Sequence, residues 1–142
     1  MIGTATIEDT RRLREIDKLC FPDNAWTIAD FKKEIKDDNK IVWCAWHPSL
    51  ALFGYIAFDK RSGYIDSLAI HPNNQKSGWA NDLLIVFERY LDAYEIPTAR
   101  LHVAVDNVPA LMLYLKRGYK IKGYSKKYYE SGADALYMEK EI

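Results

Sequence analysis

A few side chains in this sequence are suited to moving a proton at a defined place. His102 stands in the apolar run Leu101-His102-Val103, and imidazole is the side chain whose ordinary pKa makes it a neutral base near pH 7. Tyr64 opens another strand-like run and Asp66 follows two residues later. Strict alternation then places Tyr64, Asp66 and Leu68 on one face, with a carboxylate beside the phenol. Tyr114 follows Asn107 by seven residues, on one face of the same helical stretch. A phenol of ordinary pKa about 10 can hydrogen-bond to, and protonate, a thiolate of pKa about 8.5. Each residue also has a plainer reading: a histidine satisfied in the core, a surface-paired acid, a packed aromatic ring.

A second chemistry is anion binding. The loop from Ile70 to Ala80 joins a strand pattern to a long helix pattern and ends in Gln75-Lys76-Ser77-Gly78-Trp79-Ala80, the form Gln-x-x-Gly-x-Ala. A helix N-terminus presents unpaired N–H groups and a partial positive charge, and a glycine with a small residue there lets phosphate oxygens approach the backbone.

The elements that must position these residues are readable from patterning. Thr6 caps a predicted helix over residues 7–20, with Leu13, Ile16 and Cys20 on one face, and Pro22 stops it. Thr27 caps a second helix through Ile28, Phe31 and Ile35. Strands are predicted at 41–46, 52–59 and 64–70. The most regular helix follows Gly78, with Leu83, Leu84, Phe87, Leu91 and Tyr94 at helical spacing, and Pro97 closes it. A strand at 99–105, a helix at 108–117 stopped by Gly118, and strands at 119–128 and 133–140 complete the chain. The order βααβββαβαββ predicts an α/β fold, a mixed central sheet with helices on both faces, in one domain spanning residues 1–142.

Composition narrows the function classes. Twenty Lys and Arg balance twenty Asp and Glu, which argues against a nucleic-acid or anionic-membrane binder. No apolar run approaches a membrane span and the first residues lack a secretion signal's order, so a cytoplasmic protein is expected. Cys20 and Cys44 are too isolated for a disulfide framework or a zinc site, so reduced thiols and no metal are expected. The basic group Lys116, Arg117, Lys120, Lys122, Lys126 and Lys127 reads as solvated surface. The aromatic load is high, with ten Tyr, five Phe and four Trp.

Three ordered blocks resemble the GCN5-related N-acetyltransferase (GNAT) superfamily over nearly the whole chain. The first is Ser67-Leu68-Ala69-Ile70-His71-Pro72 with the Gln75–Ala80 loop. The second is Leu101-His102-Val103, Asp106-Asn107, Ala110, Leu113-Tyr114 and Arg117-Gly118-Tyr119. The third is Tyr128-Tyr129, Gly132, Asp134-Ala135 and Met138. With Cys20-Phe21-Pro22, it resembles the branch that acetylates protein N-termini, including ribosomal-protein-alanine acetyltransferases.

The resemblance implies an acetyl-CoA-dependent transfer to a protein or peptide N-terminal α-amine, by direct attack in a ternary complex. It implies that the loop residues Gln75, Lys76, Ser77, Gly78, Trp79 and Ala80 hold the cofactor pyrophosphate. Backbone groups of Leu68, Ala69 and Ile70 would hold the thioester, and Asn107 the pantetheine. Tyr114 would be the proton donor to the thiolate, and His102 paired with Tyr64 the base, with Asp66 as competitor. Phe21, Pro22, Tyr128 and Tyr129 would wall the acceptor slot, although adjacent strand tyrosines point to opposite faces, so only one of the pair is expected to line it. Trp79 departs from the family's smaller aliphatic residue, and core packing is expected for it. A monomer or weak homodimer is expected. The alternatives are a small-molecule amine acetyltransferase on the same fold and an acetyl-CoA-binding module without catalysis.

Overall fold

The computed structural model describes all of residues 1–142. In chain order the elements are β1 (Ile2–Thr4), α1 (Thr10–Cys20), α2 (Ile28–Lys36), β2 (Lys40–Trp46), β3 (Leu52–Asp59), β4 (Ile65–Ile70), α3 (Trp79–Ala93), β5 (Thr98–Ala104), α4 (Val108–Lys116), β6 (Lys120–Ser125) and β7 (Ala135–Glu141). The order is the expected one, with short 3-10 turns at Ile7–Asp9 and Pro72–Asn74. The first helix starts later than Thr6 predicts. Asp9 accepts the Thr6 N–H at 2.8 Å, which winds residues 7–9 tightly before α1 begins.

The expected single mixed sheet is divided in two. One antiparallel sheet has the order β1-β2-β3-β4 and the other β5-β7-β6. They meet through one isolated parallel bridge, Tyr64 to Arg100, beside the bond from Arg100 N–H to Gly63 C=O at 2.9 Å. Gly63 makes this junction possible. Its φ is +73°, and a Cβ there would stand 2.2 Å from the Thr98 carbonyl oxygen. Beyond the bridge β4 and β5 do not pair, so the sheets part toward Ile70 and Ala104 and leave inner backbone edges free.

Helices cover both faces of the first sheet. On one side Leu13 and Ile16 of α1 and Phe31 of α2 pack with Cys44, Tyr55 and Ala57. On the other, Leu83, Leu84, Phe87 and Leu91 of α3 pack with Phe53, Ile56 and Phe58. β3 is therefore buried along its whole length. Each fully buried Leu or Phe contributes roughly 1.5–3 kcal/mol, so these two layers hold the strand positions firmly. Glu88, a polar residue on the inner side of α3, accepts from Arg117 at 2.5 Å, Lys140 at 2.8 Å and Tyr119 at 3.0 Å. It ties the C-terminal end of α4 and strand β7 to α3. Arg117 thus leaves the predicted solvated basic group. Cys44 is buried, Cys20 half-buried, and both are free thiols. No helix is long and apolar enough to cross a membrane.

Candidate active site

The parting of β4 from β5 opens a cavity of about 290 Å³ whose walls include Phe21, Leu68, His102, Asn107, Tyr114, Tyr128 and Tyr129. Residues from every one of the three sequence blocks thus converge on one space. Tyr64 lies at the junction, on the strand side of Gly63, and His102 lies two residues beyond Arg100 on β5. The register therefore brings them together: Tyr64 Oη is 2.6 Å from His102 Nδ1 and 3.2 Å from Tyr128 Oη. Tyr128 stacks on the imidazole at 4.2 Å between ring centroids, with 11° between the planes.

Electrostatics fit a neutral acid–base pair. Burial lowers the His102 pKa below its ordinary 6.5, so the ring is uncharged at pH 7. Burial, then the neighbouring Tyr128, push the Tyr64 phenol far above 10, so it keeps its proton. Tyr114 is buried, packed edge-on against Tyr119 at 5.6 Å, and burial raises its pKa as well. It remains a proton carrier at any pH near neutrality. Tyr129 is pushed up to about 12, chiefly by burial.

The Gln75–Ala80 loop leads directly into α3. Gly78 is the N-cap of α3 with φ +85°, and nothing lies within 4 Å of where a Cβ would stand. No side chain caps this helix, so the first-turn N–H groups of Trp79 and Ala80 face an open, glycine-floored approach. Lys76, also at positive φ (63°), and Ser77 are exposed beside it. Gln75 instead turns its amide inward, donating to the Ile70 carbonyl at 3.0 Å. Trp79 packs edge-on against Phe53 at 4.9 Å, the core packing expected of it. Asn107 caps α4, accepting from Ala110 N–H at 3.3 Å, which leaves its amide NH₂ as the group free to donate. Leu68, Asn107 and Tyr114 line the cavity, whereas Ala69, Ile70 and the Gln75–Ala80 loop lie outside its wall; the open β4 edge and the uncapped helix start fit a long, amide-bearing, pyrophosphate-containing cosubstrate. No cluster of His, Cys, Asp or Glu is arranged to hold a metal ion.

Three expectations are corrected. Asp66 lines the cavity and its charge reaches the Tyr64 phenol, but strict alternation with Leu68 does not place it there. β3 and β4 slip register there, Ala57 pairing with Ser67 and Phe58 with Ile65, so Asp66 is a bulge residue. Its carboxylate is bonded to Lys40 Nζ at 2.8 Å. It also faces Glu34, whose carboxyl is pushed up to about 8 by burial and then by Asp66. Pro22 is exposed and absent from the cavity wall, where Asn24 and Trp26 stand instead. Tyr128 and Tyr129 both line the cavity, because β6 ends at Ser125 and strand alternation does not apply to them. Lys127 turns the chain at φ +49°, and the two rings meet edge-on at 5.0 Å.

Sequence reasoning missed Asp17, Asn24, Trp26 and Ser67 as cavity residues. Asp17 alone left a signal, since it is an acid on the face of α1 that carries Leu13, Ile16 and Cys20.

Comparison with known proteins agrees with this geometry. Residues 12–142 match the family model described as an acetyltransferase (GNAT) domain, and the chain belongs to that family. It is therefore an N-acetyltransferase that uses acetyl-CoA. A relative is the catalytic subunit NAA10 of the N-terminal acetyltransferase A complex of Arabidopsis thaliana, 28% identical over 149 residues, covering 99% of this chain and 77% of that protein. The crystal structure of Arabidopsis thaliana NAA60 with a bisubstrate analogue superposes with a TM-score of 0.88 at 19% identity, covering 100% of this chain and 97% of that one. A spermidine N-acetyltransferase chimera from Vibrio cholerae shares the fold with a TM-score of 0.79 at 19% identity, over 99% of this chain and 95% of that one.

Proposed function

We propose that the acceptor is the α-amine at the N-terminus of a peptide or protein, and that transfer is direct within a ternary complex. The observation that carries this reading is His102, bonded to Tyr64 at its back and lining a cavity walled by the α1–α2 loop on one side and the β6–β7 loop on the other. The name of the NAA10 relative supports it. Acetyl-CoA supplies the acetyl group, activated as a thioester. The first-turn N–H groups of α3, with Gly78 beneath them, hold its pyrophosphate. The free edge of β4 at Leu68–Ile70 and the Asn107 amide meet its pantetheine arm and carbonyl.

A base role for His102 requires the tautomer in which Nδ1–H donates to Tyr64, Tyr64 donates to Tyr128 and Nε2 carries the free lone pair, and the two contacts accommodate it. Nε2, directly or through one water, takes the proton from the incoming ammonium. Tyr114, protonated and in the same cavity, delivers a proton to the departing thiolate. Asp66 also lines the cavity, but its carboxylate is held by Lys40 at 2.8 Å, so the base role is assigned to His102.

Magnitudes favour an α-amine over a side-chain amine. At pH 7 an α-amino group of pKa 7.7–8.0 is about a tenth to a fifth neutral, whereas a lysine amine of pKa about 10.4 is neutral at well under one part in a thousand. A modestly basic, neutral histidine is matched to the first. The test is initial-rate kinetics with acetyl-CoA and a short peptide, free or formylated at its N-terminus. Intersecting double-reciprocal lines with the free peptide and no transfer to the formylated one are expected. Equal transfer to both, through a lysine side chain, overturns the reading.

A further inference from the structure

We infer that Ser67 is a binding residue for the acceptor, and that Asp17 fixes its polarity through Tyr55. The inference rests on the cavity receiving the acceptor amine, as proposed above. Asp17 and Tyr55 are almost wholly buried, with 1% and 0% exposure, yet Asp17 and Ser67 both reach the cavity wall. Asp17 accepts the backbone N–H of Trp26 on Oδ2 at 2.8 Å, and Tyr55 Oη donates to Oδ1. Tyr55 Oη is in turn 2.6 Å from Ser67 Oγ.

Proton counting gives this chain one direction. Burial raises the Asp17 pKa, opposed by the bonds from Tyr55 and Trp26 and by the Arg14 charge, and both its oxygens accept; as a carboxylate it can only accept, so the single Tyr55 proton is committed to Asp17. The Tyr55 oxygen must then accept, and the Ser67 hydroxyl proton is the only one available to fill that bond. Ser67 is left with unshared lone pairs and no proton to offer the cavity. It is a hydrogen-bond acceptor there, suited to an ammonium or an N–H of the incoming amine rather than to a carbonyl. The same Asp17 holds Trp26, and Arg14 secures that loop further by donating to the Trp26 carbonyl at 2.5 Å and the Ala25 carbonyl at 3.3 Å. Position of the acceptor wall and polarity of its floor are thus set by one buried acid. None of this involves the Tyr64–His102 pair.

The test is a set of four variants, Ser67→Ala, Ser67→Thr, Tyr55→Phe and the double Tyr55→Phe/Ser67→Ala, with KM measured separately for acceptor and acetyl-CoA. Ser67→Ala is expected to raise the acceptor KM about tenfold, leaving that of acetyl-CoA within about twofold, because one hydrogen bond to a charged group is lost. Ser67→Thr, which keeps the hydroxyl, restores it. Tyr55→Phe raises the acceptor KM several-fold alone and adds nothing in the Ser67→Ala background, since it acts through Ser67. An unchanged acceptor KM in Ser67→Ala, or a Tyr55→Phe effect of equal size in both backgrounds, overturns the inference. If the wild type acetylates spermidine and not peptides, the N-terminal reading fails, and the four variants are measured on spermidine with the same outcomes expected.

Discussion

Replacing His102 by alanine is the sharpest probe of proton removal, because its effect must depend on pH in a calculable way. At pH 7, freeing the lone pair of an α-ammonium of pKa 7.7–8.0 costs about 1–1.4 kcal/mol. Without the imidazole, water must accept the proton, and a positioned general base contributes typically 10²–10⁴-fold. Only the low end applies here, because the amine is already partly neutral, so a loss of about 100-fold in kcat is expected at pH 7. Between pH 7 and pH 9 the neutral fraction of the amine rises from about a tenth or a fifth to above nine tenths. The deficit should therefore shrink about five- to tenfold over that range. In the wild type, burial holds the His102 pKa below 6.5, so its own acid limb in kcat lies below that pH and the ring is already neutral above it. The assay follows released coenzyme A thiol with a free-α-amine peptide from pH 5.5 to 9, and a thermal melt confirms folding. A loss that is the same at every pH, or no loss, refutes the assignment of His102 as base.

Other consequences are equally direct. Tyr114→Phe keeps the ring that packs on Tyr119 but removes the proton, and should lower kcat about ten- to a hundredfold with the acetyl-CoA Kd unchanged by calorimetry. Gly78→Asp places a carboxylate in the left-handed N-cap of α3, where phosphate would sit, and should weaken acetyl-CoA binding at least tenfold by the same calorimetric measurement. Glu88→Ala strands Arg117 and Lys140 and should cost about 3 kcal/mol in urea unfolding. Burial raises the Glu88 pKa, but the bonds from Arg117, Lys140 and Tyr119 outweigh it and leave it below the ordinary value. Its stabilisation is therefore full above the unfolded pKa of about 4.3 and is lost as pH falls through the lower folded value. The variant should show a correspondingly shallower acid limb of stability.

Periodicity carried the scaffold into view because this fold buries its elements asymmetrically. α3 presents Leu83, Leu84, Phe87 and Leu91 to the core at helical spacing, and Gly78 and Gly118 mark helix boundaries. The Tyr64–His102 pair was legible once a family pattern linked two strands that are 38 positions apart, and the observed bond is the consequence of their register. What failed was any inference that extended regular alternation beyond where it holds. Asp66 sits at a register slip and turns to Lys40, and Tyr128 and Tyr129 lie past the end of β6. A bulge and a loop leave no periodic trace in composition. Asn24 and Trp26 were missed for a related reason, since their place on the cavity wall depends on how the α1–α2 loop folds back onto Asp17, and Ser67 stands on β4 directly after the bulge residue Asp66. The balanced charge likewise named no partner, and an uncapped helix start needs no basic protein to hold phosphate.

The central claim is the identity of the acceptor amine. A single peptide carrying a free N-terminus and an internal lysine, incubated with the enzyme and acetyl-CoA beside an equimolar amount of spermidine, offers all three amines at once. Fragment-ion mass spectrometry of the mixture locates the acetyl group. Acetyl on the peptide α-amine, with the lysine and spermidine unmodified over the same interval, is the predicted result; acetyl on the lysine side chain or on spermidine, with the α-amine left free, contradicts it.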